Sequence, residues 1–212
     1  MNKQSVDYTL YLCTDRDLMR AESVEQSVEQ AILGGATLVQ LREKTLSSRA
    51  FYEAALAVKR VTDAHNVPLL INDRLDIAQA VDAAGVHLGQ SDLPCATARR
   101  ILGEDKIIGI SAHTVQLAVR AQQEGADYLG VGAMVATGTK TDAEVTTREE
   151  LQAILAAVKL PVVVIGGIGL HNIGSFAPLG VSGAAVISAI VAQDDIAGAA
   201  RLLKARFLGE QA

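Results

Sequence analysis

The sequence predicts an α/β fold, a closed (β/α)8 TIM barrel in a single domain spanning 1–212, and three observations carry that expectation. Eight short apolar runs recur at intervals of about 25 residues, a normal length for one strand–helix unit in a barrel of this size. Stretches with apolar residues at helical spacing lie between them. Apolar residues make up 50% of the chain, yet there are only three Phe, four Tyr and no Trp beside 18 Gly. The core must then be Ala, Val, Ile and Leu, which suits closely packed helices on a buried parallel sheet.

The elements follow in order. TLYLCT (9–14) reads as the first strand, and Ser23 is a plausible N-cap for a helix over 24–34 that Gly34-Gly35 stops. TLVQLR (37–42) is the second strand. Ser47 or Ser48 opens a helix over 49–65, with Phe51, Ala54, Ala55 and Val58 on one face. VPLLIN (67–72) and GVHLGQ (85–90) are strands three and four, and helices follow near 75–83 and 95–102. KIIGIS (106–111) and ADYLGVG (126–132) come next, with helices near 115–124 and 147–158. PVVVIGG (161–167) and GAAVISA (183–189) complete the strands, with helices near 171–178 and 194–208. Pro68 and Pro161 each introduce a strand, where a missing N–H costs little. An open doubly wound sheet would want a glycine-rich phosphate turn after the first strand, and CTDRDLM offers none. The longest interruption, AMVATGTKTDAEVT at 133–146, is of a length that is more often functional than idle.

Composition narrows the partners. The net charge of −5 gives no basic field to draw the chain to nucleic acid or an anionic membrane, so neither is expected as a partner. Cys13 and Cys95 make no disulfide framework, which favours a reduced, cytoplasmic setting. The opening MNKQSVDYTL lacks the apolar stretch of a secretion signal, and no apolar run is long enough to span a membrane.

Barrel active sites sit at the C-terminal ends of the strands. Strand two ends in QLREK, where Gln40, Arg42 and Lys44 share the inward face and Leu41 alternates toward the helices. Two inward cations are costly unless an anion meets them, and that anion is either a ligand or a neighbouring carboxylate such as Glu43. Strand three ends in Asn72-Asp73, and strand four runs out through Gly89-Gln90-Ser91-Asp92. Asp73 and Asp92, from adjacent strand ends, could bracket a magnesium ion, which takes one or two carboxylates plus phosphate oxygens and water; capping a helix is the competing role for each. Ser111 ends strand five, either to meet a phosphate oxygen or to cap the next helix. The loop after strand six offers Thr137, Thr139 and Lys140, two hydroxyls and a point cation suited to a phosphate, or else a solvated surface loop. Gly166-Gly167-Ile168-Gly169 and Ile187-Ser188 end strands seven and eight, where barrels of this kind bind phosphate.

The histidines carry less. His65 and His171 lie in or beside helices, His87 reads as a packing residue inside strand four, and only His113 sits at a strand end. Cys13 reads as a small buried hydrophobe. Arg42, Lys44, Lys140, the two aspartates and the glycine turns together equip one rim for two phosphorylated ligands, a diphosphate with magnesium and a monophosphate. No Ser-His-Asp set, histidine cluster or Cys-x-x-Cys is present. The chemistry indicated is therefore electrostatic stabilisation of a leaving diphosphate.

With QLREK at 40–44, IND at 71–73, GVHLGQSDLP at 85–94, SAHT at 111–114, TGTK at 137–140 and IGGI at 165–168, the chain resembles the thiamine-phosphate synthase (thiamine phosphate pyrophosphorylase) family from YLCTD at 11–15 to VISAI at 186–190. The resemblance implies a TIM-barrel transferase of thiamine biosynthesis. It joins 4-amino-2-methyl-5-(diphosphomethyl)pyrimidine to 4-methyl-5-(2-phosphoethyl)thiazole, or the carboxylated thiazole, and releases diphosphate and thiamine phosphate. It implies that Gln40, Arg42, Lys44, Asn72 and Lys140 hold the pyrimidine diphosphate and that Asp73 and Asp92 bind one Mg2+. Ser111 would contact the pyrimidine or the departing diphosphate, with Lys140, Ser111 and Arg42 as the catalytic set. Thr137, Thr139, Gly167, Ile187 and Ser188 would take the thiazole phosphate. The implied partners are these two small phosphorylated heterocycles, and a homo-oligomer stays open. The chain departs from the family in the loop after strand six, where Gly132-Ala133-Met134-Val135-Ala136-Thr137 stands in place of G-P-x-F-P-T.

Three rival functions compete with this one. A thiazole tautomerase would not need the whole diphosphate and metal set. A phosphoribosylanthranilate isomerase would use Cys13 and Asp127, yet Asp127 opens strand six and so belongs at the opposite rim. A non-catalytic regulator of the pathway would bind both ligands without turnover.

Overall fold

Eight parallel strands pair in sequence order, and the last returns to the first to close a barrel among the described residues. The computed structural model describes residues 3–135 and 145–210. The strands are β1 (Leu10–Cys13), β2 (Leu38–Leu41), β3 (Leu69–Asn72), β4 (Gly85–Leu88), β5 (Ile107–Ser111), β6 (Tyr128–Val131), β7 (Val162–Ile165) and β8 (Gly183–Val186). Around them run α1 (Val24–Leu33), α2 (Ser48–Ala64), α3 (Leu75–Ala80), α4 (Cys95–Leu102), α5 (Val115–Gln123), α6 (Arg148–Ala157), α7 (Ser188–Val191) and α8 (Ile196–Leu208).

The helices start where the sequence places caps. Ser23, Ser47, Thr114, Thr147 and Asp195 each accept a backbone N–H from the first turn of α1, α2, α5, α6 and α8 respectively. Each such bond satisfies one orphan donor and typically contributes about 1 kcal/mol. The prolines behave as expected: Pro68 and Pro161 precede β3 and β7, and their carbonyls accept from Val39 and Leu129 of the neighbouring strands.

Two expectations fail. The helix over 171–178 is replaced by two 3-10 turns, Ile173–Ser175 and Ala177–Leu179. Gly174 and Pro178 both disfavour an α-helix, and the Ser175 hydroxyl donates instead to the Asn172 carbonyl. The eighth strand is shorter than 183–189, because the chain leaves the sheet after Val186 and Ser188 begins α7.

Strand alternation divides the apolar residues into two cores. Outward residues such as Leu12, Leu41, Ile71, Val86, Ile110 and Val164 pack on the inner faces of the helices. Inward residues Tyr11, Cys13, Leu38, Leu70, Ile107, Tyr128, Val163 and Ala185 fill the lower barrel. Toward the C-terminal ends the inward positions become Gln40, Asn72, His87, Gly109, Ser111 and Gly130. Of these, Gln40, Asn72, His87, Ser111 and Gly130 line an open cavity, while the space at Gly109 is filled by Tyr128.

Candidate active site

The open upper half of the barrel is a cavity of about 1460 Å³, lined from strand ends all round the barrel. A pocket for one drug-sized ligand is usually about 300–1,000 Å³, so this one has room for two small substrates.

Gln40, Arg42 and Lys44 all reach the cavity, as their two-residue spacing requires. Gln40 is buried and its Nε2 donates to the Tyr11 hydroxyl at 2.6 Å. The Arg42 guanidinium pairs with Asp15 at 3.2 Å, and the Arg42 backbone N–H donates to the Thr14 hydroxyl. Glu43 turns away to Arg16 at 2.7 Å, so it is not the anion that offsets the two inward cations. Lys44 pairs with Asp73. Asn72 is buried, and its Nδ2 has no hydrogen-bond partner among the described residues. A buried donor left without an acceptor costs about 1–3 kcal/mol, and Asn72 lines the cavity.

Asp73 and Asp92 meet across the neighbouring ends of β3 and β4. Asp73 has a left-handed backbone (φ 63°), a conformation disfavoured for a non-glycine residue, and its N–H donates to the His87 carbonyl. The Asp92 carboxylate accepts the Gly89 N–H at 2.7 Å, and the two carboxyl groups lie close enough to shift each other's titration. Burial acts to raise Asp73, but the Lys44 ammonium and the neighbouring Asp92 carboxyl outweigh it and hold Asp73 below the ordinary carboxylate range. Burial and the Asp73 charge push Asp92 up. Two carboxylates pressed together in this way suit a hard divalent cation whose shell is completed by ligand oxygens and water. Among the described residues, no three acidic, histidine or cysteine side chains gather to hold a metal by themselves.

Across the cavity, Gly166 and Gly167 both adopt positive φ, and a Cβ on Gly166 would press on Ala133 at 2.6 Å. Asn172 clamps this turn, accepting the Gly169 N–H and donating to the Gly167 carbonyl, each at 2.9 Å. Gly167, Ile187 and Ser188 line the same wall. Thr137, Thr139 and Lys140 lie outside the described residues.

Sequence reasoning missed a polar chain below these groups. Tyr11 and Tyr128 join hydroxyl to hydroxyl at 2.9 Å, His87 Nδ1 meets the Tyr128 hydroxyl at 2.8 Å, and His87 Nε2 meets Ser111 Oγ at 3.0 Å. His87 is indeed buried, but it links groups rather than merely packing. A signal was available at Gly109 and Gly130, where a Cβ would strike the Tyr128 and His87 rings. His113 lines the cavity as its strand-end position suggests, and so does His171, read above only as lying beside a helix.

Asp127 lies away from the cavity, at the start of β6, paired with Arg99 at 2.5 Å and Lys3 at 2.9 Å and accepting the Ile108 N–H. An Asp127→Asn variant is expected to lose about 1–2 kcal/mol of stability, from weakened charge-assisted bonds, with unchanged turnover. Thermal melting and a rate assay on the same preparation check both halves.

Comparison with known proteins shows the family and the fold. The family model described as thiamine monophosphate synthase matches residues 10–190. A thiamine-phosphate synthase of Clostridium beijerinckii is 55% identical over 206 residues, covering 97% of this chain and 99% of that protein. One from Clostridium botulinum is 56% identical over 205 residues, covering 97% and 96%. The solved thiamine phosphate pyrophosphorylase from Pyrococcus furiosus superposes with a TM-score of 0.89 at 38% identity, covering 96% of this chain and 97% of that one. A phosphoribosyl anthranilate isomerase from Thermus thermophilus, at 16% identity and a TM-score of 0.68, shares the fold alone. On the matched span, the identity over nearly the full length and the barrel they share, the chain belongs to the thiamine monophosphate synthase family.

Proposed function

We propose that this protein joins the aminopyrimidine methyl diphosphate to the thiazole phosphate, or its carboxylated form, and releases diphosphate and thiamine phosphate, with carbon dioxide also lost when the carboxylated form is used. The observation that supports it most is the meeting of Asp73 and Asp92 beside Lys44, with Arg42 and the orphan Asn72 amide on the same cavity. A tautomerase acting on the thiazole alone has no use for that side of the cavity.

In this reading the bond between the pyrimidine methylene and the diphosphate oxygen breaks heterolytically. Electron donation from the aminopyrimidine stabilises the methylene cation, and the thiazole ring nitrogen then attacks it. Arg42, Lys44, Asn72 and Lys140 hold the diphosphate, and their charges and N–H donors stabilise the negative charge it gains. Ser111, facing the cavity from the end of β5, donates to the pyrimidine diphosphate. Gln40 positions the pyrimidine. Gly167, Ile187 and Ser188, with Thr137 and Thr139, take the thiazole phosphate. Asp73 and Asp92 would hold Mg2+, which when bound neutralises charge on the leaving diphosphate. A cytoplasmic setting completes the reading. Among the described residues, no helix is long and apolar enough to cross a membrane.

Mixing both substrates with magnesium and measuring diphosphate tests the proposal. Stoichiometric diphosphate and thiamine phosphate support it. Thiazole isomerisation with no diphosphate overturns it in favour of a tautomerase, and binding of both ligands without turnover favours a regulator. A Lys140→Ala variant is expected to lower kcat/KM for the pyrimidine diphosphate about 100-fold, the scale of losing one charged contact to a transition state. An unchanged value removes Lys140 from the site.

A further inference from the structure

We infer that Gln40, Tyr11, Tyr128 and His87 form a one-way hydrogen-bond relay that fixes the Ser111 hydroxyl as a donor into the cavity, making Tyr128 and His87 positioning residues. The inference rests on the functional reading above for what Ser111 donates to, though not for the relay itself.

The five groups come from β2, β1, β6, β4 and β5, and their polar atoms are linked at 2.6, 2.9, 2.8 and 3.0 Å in turn. Each hydroxyl owns a single proton, so one end sets the direction of the whole chain. The Gln40 amide N–H donates to the Tyr11 oxygen. The Tyr11 proton is thereby directed to the Tyr128 oxygen, and the Tyr128 proton to His87 Nδ1. His87 then carries its own proton on Nε2 and donates it to Ser111 Oγ. Ser111 is left with its O–H directed away from the histidine and into the cavity, toward an acceptor atom of the pyrimidine diphosphate.

The surroundings favour this arrangement. Tyr11 and Tyr128 are buried, and burial holds both phenols well above their ordinary range, so they remain neutral donors. Gly109 and Gly130, on the inward faces of β5 and β6, leave the room that Tyr128 and His87 occupy. A serine hydroxyl in an otherwise open cavity would rotate between donor and acceptor roles. The relay removes that freedom before substrate arrives, which is preorganisation of the kind that raises rate more than affinity.

The test has two arms. Nitrogen-15 NMR of the imidazoles, with His87 assigned among the four histidines by its loss in a His87→Gln variant, reads the tautomer directly. The proton is expected on Nε2 in the wild type, with a mixture of tautomers in Tyr128→Phe. A wild-type proton on Nδ1 means the chain runs the other way and overturns the relay. In kinetics, Tyr128→Phe is expected to lower kcat about tenfold with KM changed less than about twofold, the scale of one misdirected hydrogen bond. In a Ser111→Ala background the same substitution is expected to change kcat less than about twofold, because it acts through Ser111. An equal loss in both backgrounds overturns the positioning role. If the wild type releases no diphosphate, it is the functional reading that fails, and the nitrogen spectrum alone decides the relay.

Discussion

An Asp92→Ala enzyme is expected to lose magnesium-dependent diphosphate release by about 1,000-fold while its fold survives. The loss follows from the pairing of Asp92 with Asp73 at the rim. Removing one of two carboxylates leaves a single acid, itself engaged by Lys44, to hold the cation. The charge stabilisation withdrawn from the leaving group is on the order of several kcal/mol. The structural cost is small by comparison, because Asp92 is partly exposed and its carboxylate accepts one backbone bond, from Gly89. Losing that bond costs about 1 kcal/mol, or a fall in Tm of about 2–4 °C for a chain of this length. Diphosphate release measured beside a melting curve separates the two effects. Wild-type rates in this variant would remove Asp92 from the metal set.

Gly109→Ala is expected to be strongly destabilising. Its Cβ would fall on the carbon that bears the Tyr128 hydroxyl. Tyr128 is fully buried, and its ring lies 5.0 Å from Tyr8, 6.0 Å from Tyr11 and 5.6 Å from His87 between centroids. It can move only by breaking these ring contacts and its hydrogen bonds to Tyr11 and His87. Overpacking of this kind costs about 3 kcal/mol, the upper end of the usual range, and lowers Tm by about 6–12 °C. The rate is expected to fall too, since shifting Tyr128 displaces His87 and Ser111. Shortening the neighbour in a Gly109→Ala, Tyr128→Leu double variant is expected to recover part of the melting temperature but none of the rate. A single variant that melts within about 2 °C of wild type would contradict the packing.

The barrel was legible because its signals are local. Alternation places Gln40, Arg42 and Lys44 inward and Leu41 outward, and parallel pairing of consecutive strands brings Asp73 beside Asp92. Helix starts were legible at Ser23 and Ser47 because a cap acts within three residues. Partner choice was not, since whether Glu43 meets Arg42 or Arg16 depends on how the loop after β1 turns over β2. The stretch over 171–178 misled because its periodicity suits a helix, while Gly174, Pro178 and the Asn172 clamp on the glycine turn favour shorter turns. The relay was invisible for a different reason. It joins five strands through the barrel centre, so no sequence window contains it, and tyrosines facing inward read as core. Gly109 and Gly130 were its trace, since inward glycines mark space that another side chain must fill.

The central claim is that one strand-end cavity gathers a diphosphate and the cation that neutralises it. A crystal structure with magnesium and diphosphate tests it most directly. The expected result is a single ion between Asp73 and Asp92, with diphosphate oxygens on Arg42, Lys44 and Lys140. Diphosphate bound at the opposite rim with Asp127 and Arg99, or metal bound away from both aspartates, would contradict the account.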